Sequence, residues 1–378
     1  MNKVFESIYS CSGCAGCAYL CPTKAIQMRE FEYDFMYPVI DMRKCIDCGI
    51  CKEFCSFSNR ENSKKSIQAY AVKNKDDIRM ESSSGGFFTE IANQFISKGD
   101  IVYGAIFSEN MDVVHSRAVS ECEVIKMRGS KYVQSDISKV FESVERDLSS
   151  GKKVLFTGTP CQVSAINKVF LSNFPETLFT IDIVCHGVPG VSIWRDYVKF
   201  IESIYNKKIV DFKFRDKKQA WRSYKTKIIF SDDTIVEDNN ITGSFTELFR
   251  YDVSLRPSCT QCVFASTKRQ GDITIGDFWG IENVFPEMDD NKGVSAVLIN
   301  TTKGLEMFRS LKKLEIKSCA LQDVYKKQLN FFVPSSYSNK ANAFKHDYIN
   351  KDFDTVLRKY TRVGFRRRIV DFIKSILK

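Results

Sequence analysis

The chain has 378 residues, of which 43% are hydrophobic and 27% are charged, with a formal net charge of +10. These values are typical of folded globular proteins and exclude an intrinsically disordered chain. No apolar run reaches the roughly eighteen residues of a membrane span, and residues 1–10 lack the features of a signal peptide. We therefore expect a cytoplasmic protein whose basic charge favours anionic partners.

Fourteen cysteines are present, and most lie in tight clusters. In a long chain without a signal peptide, such clusters predict metal ligation rather than disulfides. The spacing C-x2-C-x2-C-x3-C occurs twice, and its members are Cys11, Cys14, Cys17 and Cys21, then Cys45, Cys48, Cys51 and Cys55. Three closely spaced thiols can bind three corners of a cubane cluster, while the fourth points toward the other cluster.

This spacing predicts that the two clusters exchange their fourth ligands. We assign one 4Fe-4S cluster to Cys11, Cys14, Cys17 and Cys55, and the other to Cys45, Cys48, Cys51 and Cys21. The alternative is a pair of structural zinc sites, which uses cysteines in pairs rather than in identical runs of four. Residues 1–62 are thus predicted to form a bacterial-type two-cluster ferredoxin module, with a hairpin over residues 25–41.

A mixed α/β (α+β) domain is predicted after a polar linker at residues 56–65. It spans residues 67–335, with an N-terminal part, 67–150, and a C-terminal part, 151–335. Strands are predicted at residues 101–107, 153–156, 178–184, 208–214, 224–230, 273–275 and 294–299. Helices are predicted at residues 87–95, 137–148, 163–170, 191–204 and 305–311.

The segment SSSGG at residues 82–86 precedes the first helix of this domain. It places hydroxyl groups and unhindered amides at a helix N-terminus, which attracts an anion such as a flavin phosphate. A plain serine N-cap is the alternative. No G-x-G-x-x-G segment follows a strand and no Walker loop is present, so a dinucleotide site of the Rossmann type is not expected.

Four later cysteines supply the number of ligands that a third 4Fe-4S cluster requires, and they are Cys161, Cys185, Cys259 and Cys262. Cys161 follows a strand and a glycine turn and is expected at a helix start, where the dipole favours the thiolate. The alternative is that Cys161 and Cys185 are small core residues. His186 is either a proton donor or a structural histidine. Trp221 and Trp279 are expected in the core, and Cys122 and Cys319 are interpreted as incidental.

On these motifs the chain resembles the coenzyme F-420 hydrogenase/dehydrogenase beta-subunit family, the FrhB family, over residues 70–304. The segments that carry the resemblance are SSSGGFFTEI, RGSKYVQSD, FTGTPCQVSAI, DIVCHGVPG, FKFRDKKQAW, LRPSCTQC, DITIGDFWGI and GVSAVLINTTKG. The resemblance implies an FrhB-type catalytic domain that binds FAD and iron-sulfur clusters. In such a domain, hydride exchanged with a deazaflavin (F-420) or another small or glycan-related substrate is split into single electrons.

The resemblance also implies a set of flavin-binding residues, namely Ser83, Ser84, Gly85, Gly86, Ser130, Lys131 and Tyr132. Lys131 and His186 become the catalytic candidates, because Lys131 suits a phosphate or the negative charge of a reduced ring. The expected partners are a redox carrier such as ferredoxin or a deazaflavin, and a partner enzyme. The rival interpretation is a non-catalytic iron-sulfur adapter that docks a partner enzyme. No nucleic-acid partner is expected, since no recognised binding module is present.

Residues 340–378 are predicted to form a helical, basic C-terminal tail. Its apolar residues lie on one stripe of a helix, and they are Phe365, Ile369, Phe372, Ile373, Ile376 and Leu377. A basic amphipathic helix can lie peripherally on the anionic inner face of a membrane, or dock a partner. The alternative is a terminal helix that packs on its own domain.

Overall fold

The structure is a computed structural model that describes residues 4–31, 35–58, 63–237 and 241–363. Its strands are β1 (Ile26–Phe31), β2 (Phe35–Ile40), β3 (Lys64–Lys65), β4 (Gln68–Lys73), β5 (Ile101–Phe107), β6 (Val113–Ala118), β7 (Val154–Gly158), β8 (Leu178–Ile183), β9 (Ile209–Asp216), β10 (Lys225–Phe230), β11 (Ile235–Val236), β12 (Lys268–Arg269), β13 (Ile273–Asp277), β14 (Ser295–Ile299) and β15 (Glu315–Cys319).

The α-helices of the same ranges are α1 (Gly16–Leu20), α2 (Ile50–Phe54), α3 (Asp76–Met80), α4 (Phe87–Ser97), α5 (Glu121–Met127), α6 (Val140–Ser149), α7 (Pro160–Phe170), α8 (Val191–Tyr205), α9 (Ser244–Arg250), α10 (Thr302–Arg309), α11 (Leu321–Tyr325), α12 (Ala341–Asn350) and α13 (Phe353–Tyr360). Short 3-10 helices lie at Ile8–Ser10, Pro257–Gln261, Ile281–Asn283, Pro286–Met288 and Leu329–Phe331. None of the described helices is long and apolar enough to cross a bilayer.

An eight-stranded mixed sheet lies at the centre of the described residues, in the order β15-β4-β14-β13-β8-β7-β5-β6. Strands β13, β8, β7 and β5 are parallel, so their carboxyl ends share one edge of the sheet. Strand β4 also ends at this edge, because two antiparallel pairings through β14 bring it back into the same direction. Ligands of α/β sheets bind outside the carboxyl ends of the strands, so this edge is where a site is expected.

Both faces of the sheet are covered by helices. On one face, α4, α5 and α10 bury residues such as Phe87, Val124 and Phe308 against the sheet. On the other face, α6 and α7 bury Phe141 and Ile166. Strands such as β7 are apolar on both faces, as strands between two helical layers are.

The N-terminal module packs on α6 and α7, the helices that cover the second of these faces. Its hairpin pairs β1 with β2 in antiparallel register, as predicted. Tyr19 stacks on Phe141 of α6, with 5.0 Å between ring centroids. Lys168 of α7 donates from Nζ to the carbonyl oxygen of Phe54 at 3.0 Å. The module and the sheet domain therefore share one hydrophobic core.

A smaller three-stranded sheet, β11-β10-β9, packs with α8, α9, α12 and α13 around Trp194. Phe344 of α12 and Leu357 of α13 are buried in this cluster. As far as residue 363, the C-terminal segment thus packs on its own domain. The apolar stripe of residues 365–377 lies outside the described residues.

The mixed α/β fold is as predicted, and each predicted strand and helix is present with slightly shifted ends. The linker prediction is wrong at both ends of residues 56–65, which the structure describes apart from residues 59–62. Ser56 and Phe57 are buried, Phe57 contacts Phe264 with 6.1 Å between centroids, and β3 pairs with β12. Local polarity misled the prediction because the apolar partner of Phe57 lies far away in sequence.

Candidate active site

The thiols of the N-terminal module form two groups. The inner thiol group consists of Cys11, Cys14, Cys17 and Cys55. The outer thiol group consists of Cys21, Cys45, Cys48 and Cys51. The pKa of Cys17 is raised well above its usual value, first by burial and then by the charges of Cys14, Cys11 and Cys55. The pKa of Cys51 is also raised by burial, with further contributions from Cys48 and Cys21. Cys55 and Cys21 therefore each lie near thiols of the other run, and the exchange of fourth ligands between two clusters stays a prediction.

The two groups differ in their depth below the surface. Burial raises the pKa of Cys11 to about 11, whereas Cys48 is exposed beside Ile46, which is 65% exposed. Metal binding replaces the proton of a thiol, so a raised pKa does not prevent ligation. The outer thiol group faces solvent and the inner thiol group faces the rest of the molecule.

Backbone amides approach two of these sulfur atoms. The N–H of Ala25 donates to Sγ of Cys21 at 3.3 Å, and that of Asp47 donates to Sγ of Cys45 at 3.4 Å. Gly16 allows close packing, because a Cβ there would lie 2.3 Å from a ring carbon of Phe54. Such amide contacts stabilise and tune thiolate-ligated clusters.

The central thiol group consists of Cys161, Cys185, Cys259 and Cys262. Cys161 follows β7 in the first turn of α7, and Cys185 follows β8, so both lie at the carboxyl edge of the sheet. The bridge between Pro189 and Leu255 brings the Pro257–Gln261 segment to the same place. Burial raises the pKa of Cys185 well above its usual value, and the charges of the other three thiols raise it further. The structure thus brings together four cysteines that are scattered in the sequence.

The prediction that the helix dipole favours a thiolate at Cys161, at the start of α7, is wrong. Burial raises the pKa of Cys161 to about 12, and the hydroxyl group of Thr159, 3.1 Å from Sγ, lowers it only in part. Desolvation of the charged form therefore outweighs the helix dipole at this position. Within the described ranges, no three His, Cys, Asp or Glu groups gather closely enough to hold a single metal ion. A cubane has larger dimensions, since its ligands surround four irons.

Arg256 lies between the inner and central thiol groups. Its side chain is buried and donates from Nε to the carbonyl oxygen of Cys11 at 2.8 Å, from Nη1 to Gln134 Oε1 at 2.9 Å, and from Nη2 to the carbonyl oxygen of Met36 at 2.9 Å. Its positive charge lowers the pKa of both Cys11 and Cys259, although burial has the larger, opposite effect. One cation therefore acts on two thiol groups.

A cavity of about 650 Å³ opens at the carboxyl edge of the sheet, within the usual size range of ligand sites. All four members of the central thiol group line it. Aromatic side chains also line its walls, among them Tyr132, Tyr224, Phe249 and Trp279. Trp221 is buried in the core as predicted, but Trp279 lies on the cavity wall, so the core prediction for Trp279 is only partly right.

The predicted flavin-binding residues converge on this cavity with one exception. Those that line it are Ser83, Ser84, Gly86, Ser130, Lys131 and Tyr132. The two loops are joined, because the N–H of Ser130 donates to Oγ of Ser83 at 2.7 Å. Gly85 does not line the cavity. A Cβ at Gly85 would lie 2.3 Å from the carbonyl oxygen of Val72, so this glycine allows the loop to pack on β4.

The N-terminus of α4 is not capped by a serine. Its N-cap is Gly86, at φ +80°, and no side chain makes a capping hydrogen bond there. Ser84 instead donates to the carbonyl oxygen of Val294 at 2.8 Å. The serine N-cap alternative is therefore wrong, and backbone amides at the start of α4 are left for another acceptor.

Lys131 lies on the cavity wall but its ammonium group is occupied. Nζ donates to the carbonyl oxygens of Lys126, Arg128 and Gly129 at 3.1, 3.0 and 3.3 Å. Burial lowers the pKa of Lys131 to about 8. The lysine thus holds its loop in place, and direct contact with a ligand would require these bonds to be exchanged.

His186 lies at the cavity with both ring nitrogens near polar partners. Nε2 is 2.6 Å from Oδ1 of Asp252, and Nδ1 is 3.2 Å from Oγ of Ser335. The ring is partly exposed and packs edge-on against Phe249, with 5.4 Å between centroids. A carboxylate on one nitrogen and a hydroxyl group on the other thus fix the orientation of the imidazole.

Sequence reasoning missed several residues of the site. Arg215, Asp277 and His115 line the cavity, and Arg256 also borders it. The motifs FKFRDKKQAW, DITIGDFWGI and LRPSCTQC contain three of them, but no local pattern assigns them a role. By contrast, Cys122 is exposed and Cys319 lies on the edge strand β15, and neither lines the cavity.

Comparisons with known proteins agree with this architecture. The family model for the C terminus of the beta subunit of coenzyme F420 hydrogenase/dehydrogenase matches residues 151–323, and that of the 4Fe-4S dicluster domain matches residues 10–59. The uncharacterized protein MJ1349 of Methanocaldococcus jannaschii is 25% identical over 341 residues, which are 79% of this chain and 86% of that protein. The uncharacterized polyferredoxin-like protein MJ1302 of the same organism is 42% identical over 53 residues, 12% of this chain and 32% of that protein.

A chain of the F420-reducing [NiFe] hydrogenase complex from Methanosarcina barkeri, solved with xenon, is similar at a TM-score of 0.47 and 18% identity, covering 77% of this chain and 97% of that chain. Values this low do not extend that complex's activity to this protein. The two family models and the thiol groups define an iron-sulfur electron-transfer protein of the oxidoreductase class. Residues 151–323 are similar to the C terminus of the coenzyme F420 hydrogenase/dehydrogenase beta subunit, and residues 10–59 are similar to the 4Fe-4S dicluster domain.

Proposed function

We propose that this protein is an iron-sulfur flavoprotein oxidoreductase with three 4Fe-4S clusters and one FAD, acting on a deazaflavin or another small, glycan-related substrate. The observation that carries the proposal is that the central thiol group and the loops around Ser83 and Ser130 line one cavity. A bound flavin exchanges hydride and also single electrons, and 4Fe-4S clusters carry single electrons. This is the combination of cofactors that couples a one-electron carrier to a two-electron substrate.

The arrangement of the thiol groups supports a route from the surface to the cavity. The outer thiol group reaches solvent at Cys48. Cys51 of that group influences the pKa of Cys17 in the inner thiol group, and Cys14 influences that of Cys161 in the central thiol group. Successive groups are therefore close enough to interact electrostatically, and the last one borders the cavity.

The residues around the cavity suit a flavin. The uncapped start of α4 and the Ser83 hydroxyl group, which accepts from Ser130 and keeps its own proton free, offer donors for phosphate. Tyr132 and Trp279 offer flat apolar surfaces for a ring. Gly129, at φ +79°, has no atom within 4 Å of a Cβ position, so the second loop leaves room for a ligand.

His186 and Lys131 take different roles in this proposal. His186 is the candidate proton donor at the edge of the cavity, because Asp252 and Ser335 fix the orientation of its ring. Lys131 is a positioning residue, since its three N–H groups fix the loop that carries Ser130 and Tyr132. Neither residue is a metal ligand in this account.

Anaerobic reduction of the as-isolated protein tests the proposal. Ferredoxin, NAD(P)H and reduced F-420 are added in turn while the flavin absorbance is recorded. We expect one of them to bleach the flavin. If ferredoxin does so, Cys48→Ser should slow that reduction at least about tenfold, because the outer cluster loses a ligand. Cys122→Ser, at an exposed thiol away from the cavity, is the matched control and should behave as the wild type.

Two results would overturn the proposal. Protein with its full iron content but no flavin would favour the adapter interpretation, in which the domain docks a partner enzyme without turnover. Equal rates of reduction in wild type and Cys48→Ser would remove the outer thiol group from the electron route.

A further inference from the structure

Arg215 is a buried cation on the cavity wall that the proposed function does not use. It lies near the end of β9, its side chain is only 5% exposed, and it lines the cavity. Nη1 donates to Oδ2 of Asp277 at 2.6 Å. Asp277 ends β13 at the carboxyl edge of the sheet, so the pair lies where ligands of such sheets bind.

The orientation of the guanidinium group is fixed from several sides. The second oxygen of Asp277 accepts a hydrogen bond from Nε1 of Trp221 at 2.9 Å. The guanidinium carbon lies 4.7 Å from the ring centroid of Tyr224 and 5.7 Å from that of Trp279. Asp277 therefore holds Arg215 in one direction and has no oxygen left without a partner.

One edge of the guanidinium group is left without an acceptor. Nε and Nη2 are both buried, and neither finds a hydrogen-bond partner among the described residues. The Tyr132 hydroxyl group lies near this edge. Burial raises the pKa of Tyr132, and the charge of Arg215 opposes that rise. The hydroxyl group is nevertheless not a hydrogen-bond partner of Nε or Nη2 of Arg215. A buried donor of a charged group that lacks a partner destabilises the folded protein. Such a group needs an explanation.

The geometry of this edge selects the chemistry of the missing acceptor. The N–H groups of Nε and Nη2 point the same way and match the two oxygens of a carboxylate or phosphate. Lys217, two residues further on, lies nearby with its Nζ donating to the carbonyl oxygens of Ser84 and Lys292 at 2.8 and 2.7 Å, and burial lowers its pKa to about 7. We infer that Arg215 binds an oxyanion, a carboxylate or phosphate, through its Nε and Nη2 edge inside the cavity.

This inference goes beyond the proposed function, because it needs no flavin and no cluster. The oxyanion could belong to a flavin phosphate or to a second, anionic ligand such as the substrate. Both sources share the same chemistry, and a titration of flavin-loaded and flavin-free protein separates them.

Calorimetric titration with benzoate and with inorganic phosphate tests the site, using the full-length protein with its iron, in flavin-loaded and flavin-free forms. We expect Arg215→Lys to weaken the binding of these anions to the flavin-free protein about tenfold. Lysine keeps the positive charge but lacks the two parallel N–H donors of Nε and Nη2. Arg195→Lys is the matched control, because Arg195 makes a similar pair with Asp112 at 2.7 Å but is 46% exposed. Equal affinities in Arg215→Lys and wild type, or no binding of either anion by the wild type, would overturn the inference.

The two sources give different results in the flavin-loaded protein. If the oxyanion is a flavin phosphate, flavin abolishes benzoate binding and Arg215→Lys loses flavin more readily. If it belongs to a second ligand, flavin-loaded protein still binds benzoate and Arg215→Lys retains flavin. Should Arg215→Lys fail to fold, a crystal structure of the wild type with benzoate decides. A carboxylate at Nε and Nη2 of Arg215 supports the inference, and a carboxylate elsewhere overturns it.

Discussion

His115 lies on the cavity wall with both ring nitrogens engaged. Nε2 lies 2.7 Å from the carbonyl oxygen of Thr157, which can only accept, so Nε2 carries the proton. Nδ1 lies 2.7 Å from Oγ of Ser135 and therefore accepts from that hydroxyl group. Burial lowers the pKa of His115 from 6.5 to about 4. These partners are distant in sequence, which is why no pattern around His115 indicated a role.

The pKa of His115 predicts how stability depends on pH. The unfolded chain binds a proton at pH 6.5 and the folded chain only near pH 4. The stabilisation is therefore complete above pH 6.5 and is lost as the pH falls through this window, by about 3 kcal/mol. His115→Gln should flatten the fall in the free energy of unfolding between pH 6.5 and 4, measured by chemical denaturation. The exposed His346 provides the control, and His346→Gln should keep the wild-type slope. Equal slopes in wild type and His115→Gln would contradict this prediction.

At the scale of elements, the contact between the N-terminal module and the sheet domain has two parts. Tyr19 and Phe54 supply apolar contacts on α6 and α7, and Arg256 supplies charged hydrogen bonds to the module. Cysteine spacing predicted the inner and outer thiol groups, since three of four ligands are local in each run. The same spacing could not predict how the N-terminal module packs on the sheet domain, because Arg256 is 245 residues from Cys11.

Substitution of Arg256 should destabilise the contact between the N-terminal module and the sheet domain. Arg256→Met leaves the carbonyl oxygens of Cys11 and Met36 and the Gln134 amide without their donor, so we expect a loss of about 3 kcal/mol or more in the free energy of unfolding. The reduction potential of the inner cluster should also fall, because a positive charge beside it is removed. Denaturant titration and an EPR-monitored redox titration measure the two effects.

Arg43→Met is the control for this prediction. Arg43 is exposed and bonds to Asp41 within the same module, so its removal should change neither quantity appreciably. An Arg256→Met variant with wild-type stability and potential would show that Arg256 is not the link between the thiol groups.

In the whole molecule, the strand order of the central sheet determines which distant cysteines come together. The α/β class and each predicted strand could be inferred from periodicity. The central thiol group could not, because Cys161 and Cys185 meet Cys259 only through the adjacency of β7 and β8 and the bridge from Pro189 to Leu255. The strand β15 was not predicted because it is a polar edge strand. The helix α5 was also not predicted, although Ser120 and Glu123 form a capping box at its start.

The central claim is that three groups of four thiols hold iron beside a flavin cavity. Its most direct test is the iron, sulfide, zinc and flavin content of anaerobically reconstituted protein, with EPR of the reduced form. We predict about twelve irons and about one flavin per chain, falling to about eight irons in Cys185→Ser and unchanged in Cys122→Ser. Zinc in place of iron, or the same iron content in Cys185→Ser as in wild type, would contradict this account.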